Sequence, residues 1–319
     1  MFFMKNQCDM IRDVNWYKKI IRSPKLRYAI LNALSFIPDK IMLATQYYIK
    51  FGRKCNFKNP QRWTEKLQLY KMNYRNPILP ICVDKYEVRS YVEGKGLGEY
   101  LVKLYGVYEN SSEIKVSELP KSFVIKTTNG GGGLNVDLVR DKDEVDMKAL
   151  LNKYDEWVSS YKPNTVTFGR EWAYSGINEA RILIEELLIN RDFPDADIED
   201  FKILCFSGEP KYIIVDKDRY KNHRRNIYDV HWNRVFVATD HEPFDTPLPK
   251  PKNYDRMMEI ARLLSNEFPF VRVDLYNVAG RIFFGEMTFY PWTGYVQFVP
   301  DDFDFILGDL MDCSTFLSK

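Results

Sequence analysis

The chain has 319 residues, enough for two or three subdomains around a real core. Hydrophobic residues make up 45% and charged residues 28%, the balance of a globular chain rather than a disordered or fibrous one, and no apolar run reaches the length of a membrane span. The formal charge of +2 hides an asymmetry: residues 1–75 carry +12 and the remainder −10. A basic leader on an acidic body suggests an anionic partner, whether a membrane face, an anionic polymer or the body itself. The five cysteines are scattered without a CxxC pair, and His223, His231 and His241 lack ligand spacing with them. Neither a disulfide framework nor a zinc site is expected, and nucleic acid is not an expected partner.

The opening MFFMKNQCDMIRD has no apolar stretch of signal-peptide length, so the chain is expected in the cytoplasm. Residues 10–55 read as helical. Ile11, Val14, Ile20, Ile21, Leu31 and Leu34 recur at roughly helical intervals between lysines and arginines. Pro24 and Pro38 divide the stretch into at least three helices, with Ser23-Pro24 and Pro38-Asp39 as starts. Segment 41–50, IMLATQYYIK, is amphipathic. It fits either a membrane-surface or partner-binding helix or a helical cap on the main body, and the cap is the favoured reading. Further helices are expected from Thr64, with Leu67, Leu69, Tyr70 and Met72, and from Asp84 to about Glu93. Leu101 to Tyr108 reads as a strand.

Phe123 to Arg140, FVIKTTNGGGGLNVDLVR, reads strand, glycine loop, strand. Phe123, Val124 and Ile125 form a short apolar run ending at Lys126. Gly130, Gly131, Gly132 and Gly133 follow, and then Leu134, Val136 and Leu138 alternate with polar residues. Glycines let backbone N–H groups close around an anion, and the lysine adds a point charge. A triphosphate clamp and a flexible glycine hairpin both fit. No Gly-Lys-Ser/Thr follows, and a strand rather than a helix comes next, which excludes a P-loop and a Rossmann fingerprint.

A helix is expected over 143–162. A buried strand over Ile182–Leu188 carries Glu185 and Glu186, and FKILCF with Lys211 to Val215 makes a hairpin. The polar run 216–225 is rich in positive charge, and Tyr254 to Phe268 is a helix. Phe270 to Tyr276 and Arg281 to Phe289 form the last hairpin, turning at Asn277–Gly280. Asp274 and Glu286 lie on its two arms and can share a face. Two carboxylates in so apolar a hairpin repel unless a cation sits between them. Mg²⁺ accepts one or two carboxylates plus phosphate oxygens. Arg272 shares the face of Asp274 and could hold a phosphate oxygen, or simply pair with one acid.

This order of elements resembles the ATP-grasp superfamily and, within it, the TupA-like ATP-grasp family found among bacterial surface-polysaccharide genes. The resemblance runs from about Asn59 to Asp312. It is carried by NPQRWTEKLQLYK, DKYEVRSYV, LPKSFVIKTTNGGGG, EELL, DFKILCFSGEPKYI, RNIYDVHWN, RVDLY and FFGEMTFYPWTG. It implies an α+β fold in which two α+β subdomains grip ATP. The expected division is a basic helical extension over 1–58, a preceding α/β subdomain over 59–120, a lid over 121–186 and a core over 187–319.

By position, the resemblance implies that Lys126 contacts the nucleotide phosphates under a flap of Gly130 to Gly133. Glu185, Glu186 and Leu187 would lie at the adenine hinge, and Lys202 would line the same pocket. Asp274 and Glu286 would hold Mg²⁺, with Arg272 near the transferred phosphate. Thr288 stands where the superfamily usually has an asparagine ligand, which puts a second tightly held Mg²⁺ in doubt. Asp84-Lys85 is expected to build the cleft wall rather than do chemistry.

The implied reaction is carboxylate activation by ATP through an acylphosphate, followed by attack of an amine. The polysaccharide context implies a uronic-acid or similar carboxylate as acceptor and an amine or amino acid as donor. Arg219, Lys221, His223, Arg224 and Arg225 either receive an anionic acceptor or form a solvated charged loop. Two other readings stay open: a glycan kinase in the same pathway, and an adaptor that uses the basic leader on a membrane or polymer. A glycosyltransferase in the same pathway is conceivable. Peripheral contact of residues 1–58 with the inner membrane face is compatible with the charge asymmetry.

Overall fold

The computed structural model describes residues 22–131, 135–167, 169–189, 198–217, 223–246 and 248–317. The expected helix before Pro24, the flap residues Gly132 and Gly133, and the loop residues Arg219 and Lys221 lie outside that set.

The helices, in chain order, are α1 (Pro24–Ala33), α2 (Asp39–Phe51), α3 (Trp63–Asn73), α4 (Leu79–Val83), α5 (Val88–Gly94), α6 (Met147–Ser160), α7 (Trp172–Ser175), α8 (Tyr254–Ser265) and α9 (Asp302–Leu310). The strands are β1 (Leu104–Tyr108), β2 (Phe123–Thr127), β3 (Val136–Val139), β4 (Ile182–Glu185), β5 (Asp200–Phe206), β6 (Glu209–Lys217), β7 (Arg224–Asp229), β8 (Arg234–Val235), β9 (Phe270–Val278) and β10 (Arg281–Thr288). They form two antiparallel sheets. One has the order β1-β4-β2-β3, the other β10-β9-β5-β6-β7-β8.

Both prolines act as expected at helix starts. Pro24 opens α1, where Ser23 Oγ accepts from Leu26 N at 3.3 Å, and Pro38 precedes α2. The helix expected over 143–162 begins later, because Asp146 caps it by accepting from Ala149 N at 2.9 Å. The strand expected through Leu188 ends at Glu185.

The smaller sheet is filled by Phe123, Ile125, Ile182 and Ile184, packed with Leu150 and Tyr154 of α6. The Tyr154 hydroxyl donates to the Ile125 carbonyl at 2.7 Å. The larger sheet buries Ile203, Cys205, Val271, Val273 and Leu275, with Met257, Ile260, Ala261 and Leu264 of α8 in the same core. Nearly all of α3 is buried, polar residues included. Its start is fixed by Glu65, whose carboxylate accepts from the backbone N–H of Asn56, Gln61 and Arg62 at 3.0, 3.1 and 3.2 Å.

Residues 53–66 are clasped to residues 301–311. Arg53 and Arg62 bridge Asp301 and Asp304, and Asp304 accepts from Thr64 N at 2.9 Å and Thr64 Oγ1 at 2.7 Å. Lys66 Nζ donates to the carbonyls of Gly308 and Met311 at 2.8 and 2.9 Å. After β10 the backbone makes a left-handed turn over three residues, with φ of +50° at Trp292, +55° at Thr293 and +70° at Gly294. A β-branched residue in that region is strained and persists only if its surroundings hold it. Here two buried side chains of α3 do so. Lys71 Nζ donates to the Thr293 carbonyl at 2.6 Å, and Gln68 Nε2 to the Gly294 carbonyl at 3.0 Å. Among the described residues no helix is long and apolar enough to cross a membrane.

Candidate active site

The two arms of the last hairpin bring Asp274 and Glu286 directly opposite each other. A regular hairpin would not. The register jumps between Phe284 and Glu286, so Gly285 is an extra residue, a β-bulge. In a regular ladder Gly285 would sit opposite Asp274, and Glu286 opposite Val273 and facing the apolar core. A Cβ on Gly285 would come within 3.0 Å of the Asp274 carbonyl, so the close approach needs glycine. The bulge turns the carboxylate onto the polar face.

That face continues across the sheet. Lys202 of β5 lies opposite Asp274, and Asp200 lies opposite Asp216 of β6, which in turn pairs with Arg225 of β7. Arg272 grips Asp274 through Nε and Nη2 at 2.6 and 2.7 Å, and the same Nη2 reaches Glu286 Oε1 at 2.8 Å. Lys202 Nζ lies 3.0 Å from Asp274 Oδ2 and also pairs with Asp200. Thr288 Oγ1 donates to Glu286 Oε1 at 3.0 Å. Asp274 is almost wholly buried, with 3% of its side chain exposed, whereas Glu286 is 37% exposed and opens outward.

On the smaller sheet, Lys126 and Glu185 occupy neighbouring strands and form an ion pair. Lys85 joins the two sheets. Its ammonium donates to the Gly130 carbonyl, its backbone N–H donates to Thr128 O at 2.8 Å, and its charge faces Glu286, Lys126 and Glu185. Burial pushes the Lys85 ammonium down; Glu286 opposes that and Lys126 adds to it. Burial alone would raise the Glu286 carboxyl, but Lys85 and then Arg272 outweigh it and hold it at about 2. Burial pushes Asp274 up to about 6 against the pull of Arg272 and Lys202.

Lys85 is thus part of the cluster, which its expected place in the cleft wall understated. The neighbouring Asp84 is structural: its Oδ1 accepts from Tyr86 N and Glu87 N at 2.8 and 2.9 Å. A lysine following a helix-capping aspartate carries no separate mark in the sequence. Of the glycines, Gly130 is buried under Lys85, and Gly131 is exposed with open space around it. Glu186 and Leu187 follow β4 half-buried, with Glu186 N donating to Lys103 O at 2.9 Å.

The described part of the cationic segment, His223 to Arg225, is engaged internally. Arg225 is buried, bidentate on Asp216 at 2.6 and 3.1 Å and paired with Asp240 at 2.5 Å, with Trp292 stacked 5.1 Å away. Arg224 donates to the Pro243 carbonyl at 3.1 Å. His223 sits 3.1 Å from Asp216 with its ring 3.6 Å from that of His241. Asp216 is held well below the usual carboxylate range by His223 and Arg225, against burial. These side chains end the polar face and leave no free basic patch at Arg224 or Arg225.

Among the described residues no three His, Cys, Asp or Glu side chains converge as a metal site. The pair Asp274 and Glu286 still fits a hard divalent cation that takes its other ligands from phosphate and water. Both already share one positive charge, the Arg272 guanidinium, and Glu286 opens to solvent.

Two antiparallel sheets joined at a cluster of Lys85, Lys126, Glu185, Arg272, Asp274 and Glu286 are the frame of an ATP-grasp protein. The model of the TupA-like ATPgrasp family matches residues 65–312, and the chain belongs to that family. Among solved structures, the L-amino acid ligase of Bacillus licheniformis is 13% identical with a TM-score of 0.44, over 88% of this chain and 63% of that one. The D-alanine–D-alanine ligase of Helicobacter pylori is 13% identical with a TM-score of 0.43, over 73% and 62%. That of Bacillus anthracis is 18% identical with a TM-score of 0.40, over 65% and 57%. The chain therefore spans less than two thirds of each of these structures. No curated protein matches it in sequence.

Proposed function

We propose that the protein is an ATP-dependent carboxylate–amine ligase. The observation that carries the reading is the bulge-aligned pair Asp274 and Glu286, bridged by Arg272 and faced by Lys85 beneath the glycine loop. Such a cluster suits phosphoryl transfer, where positioning and charge stabilisation are the main tasks of the protein. In the first step an acceptor carboxylate oxygen attacks the γ-phosphorus of ATP, the bond to the bridging oxygen breaks, and ADP leaves. An amine then attacks the acylphosphate carbonyl, inorganic phosphate leaves, and the amine loses a proton as the amide forms.

Lys126 and Lys85 would hold the phosphates, with Gly130 to Gly133 covering them and keeping water from the acylphosphate. Glu185, Glu186 and Leu187 would read the adenine and ribose edge, with Lys202 in the same pocket. Asp274 and Glu286 would hold Mg²⁺, which offsets the phosphate charge, and Arg272 would steady the transferred group. The family's setting among surface-polysaccharide genes supports a glycan carboxylate, such as a uronic acid, as acceptor and an amine or amino acid as donor. ATP as substrate fits a cytoplasmic site of action.

The test is mass spectrometry of nucleotide and acceptor after incubation with MgATP, uronic-acid glycans and pooled amino acids. The ligase yields ADP, free phosphate and an acceptor heavier by an amino acid less water, and Glu286→Gln abolishes all three. An acceptor that gains phosphate without any amine makes the protein a glycan kinase and overturns the ligase.

A further inference from the structure

We propose that the outer face of α1, the α1–α2 turn and α2 docks on an anionic lipid bilayer. Five of the fourteen large apolar side chains exposed among the described residues fall between positions 26 and 48, a concentration of exposed apolar surface in one stretch. Leu26 and Ile30 stand one turn apart on α1, Phe36 lies in the turn, and Ile41 and Tyr48 lie two turns apart on α2. Phe36 is 80% exposed.

The inner side of the same segment is already used. Met42, Leu43, Tyr47 and Phe51 are buried. Leu31, Met42, Gln46 and Arg170 are among the residues that line a small cavity on that side. The turn is tied down from beneath: the Arg170 guanidinium donates to the carbonyls of Leu34 and Ser35 at 3.1 and 3.2 Å and pairs with Asp39 at 2.9 Å. A turn fixed in this way presents Phe36 outward by construction rather than by fraying.

Charge selects the partner. Residues 22–58 contain eight Lys and Arg against one acid, Asp39; Arg170 neutralises that acid, and of the eight Arg53 is spent on Asp301 and Asp304. Exposed Lys40 adjoins Ile41, and exposed Lys54 and Lys58 follow α2. Apolar side chains that enter the acyl boundary, flanked by cations that meet anionic headgroups, are what an interfacial helix pair requires. A soluble acidic polymer would satisfy the cations but leave Phe36 and Ile41 in water. No described helix is long and apolar enough to span, so the contact of this face is peripheral.

The test is flotation of the full-length protein with phosphatidylcholine vesicles, with and without phosphatidylglycerol. Binding is expected only to the anionic vesicles, and high salt should release it. The double variant Phe36→Ser/Ile41→Ser is expected to bind about tenfold more weakly or less, with an unchanged melting temperature because both side chains are exposed. Three results overturn the proposal: no binding to anionic vesicles, equal binding by the double variant, or a wild-type dimer that the variant abolishes. The last would give the face to a second copy of the chain. The readout needs no turnover, so it stands apart from the ligase assignment.

Discussion

Lys85 is a side chain on which charges from both sheets act, with Glu286 on one side and Lys126 and Glu185 on the other. Lys85→Met keeps the volume and removes a buried charge, while Glu286 retains Arg272 and Thr288. The expected outcome is an unchanged or higher melting temperature with MgATP affinity weaker by about tenfold or more. Calorimetric titration decides it, and an unaltered affinity would remove Lys85 from the phosphate site.

Lys71 offers a test by pH. Burial pushes its ammonium down to about 7, with Glu171 pulling the other way. In the unfolded chain the same group keeps its proton to about 10.5. Between those values the unfolded state binds the proton that the native state has released, so raising the pH favours the native state. Wild type should therefore gain stability over Lys71→Met from about pH 7 upward, by at most about 1.4 kcal/mol per pH unit. Urea midpoints of both proteins at three pH values would show it, and parallel curves would refute it. The sequence offered no sign of this residue: a lysine near the end of an amphipathic helix reads as solvated, and only its buried partners show otherwise.

At the scale of elements, periodicity revealed most of what was to be found. The glycine hairpin, the helix at Tyr254 and the last two strands follow from alternating or helical spacing, and so does the shared face of Asp274 and Arg272. The bulge could not be read in this way. Counting back from the turn puts Asp274 opposite Gly285, so the carboxylate pair was expected for a reason that omits the device that makes it. Gly285→Ala should force Asp274 and Glu286 apart, cutting MgATP affinity about tenfold or more with a smaller loss of stability. Strand β7 was hidden for another reason. Arg225 and Asn226 are buried within it through polar partners, so its composition looks like a charged loop. The left-handed turn after β10 is likewise tertiary in origin. A Cβ on Gly294 would lie 2.5 Å from Gln68 Nε2 at a φ of +70°, and Gly294→Ala is expected to lower stability by roughly 2 kcal/mol, measurable by chemical unfolding.

For the whole molecule, a ligand held between two sheets stabilises both. MgATP at about a hundred times its Kd should add about 2.7 kcal/mol and raise the melting temperature by about 4 °C. Lys126→Ala should abolish the shift if Lys126 holds the phosphates. The clasp of residues 53–66 onto 301–311 has a different consequence. Helices α3 and α9 share one set of bonds, so neither can peel away alone. Amides in α3 and α9 should exchange as a single cooperative unit, and removing α9 would undo the helix that begins some two hundred and forty positions earlier. The chain is in this respect closed like a ring, with a seam at Asp304.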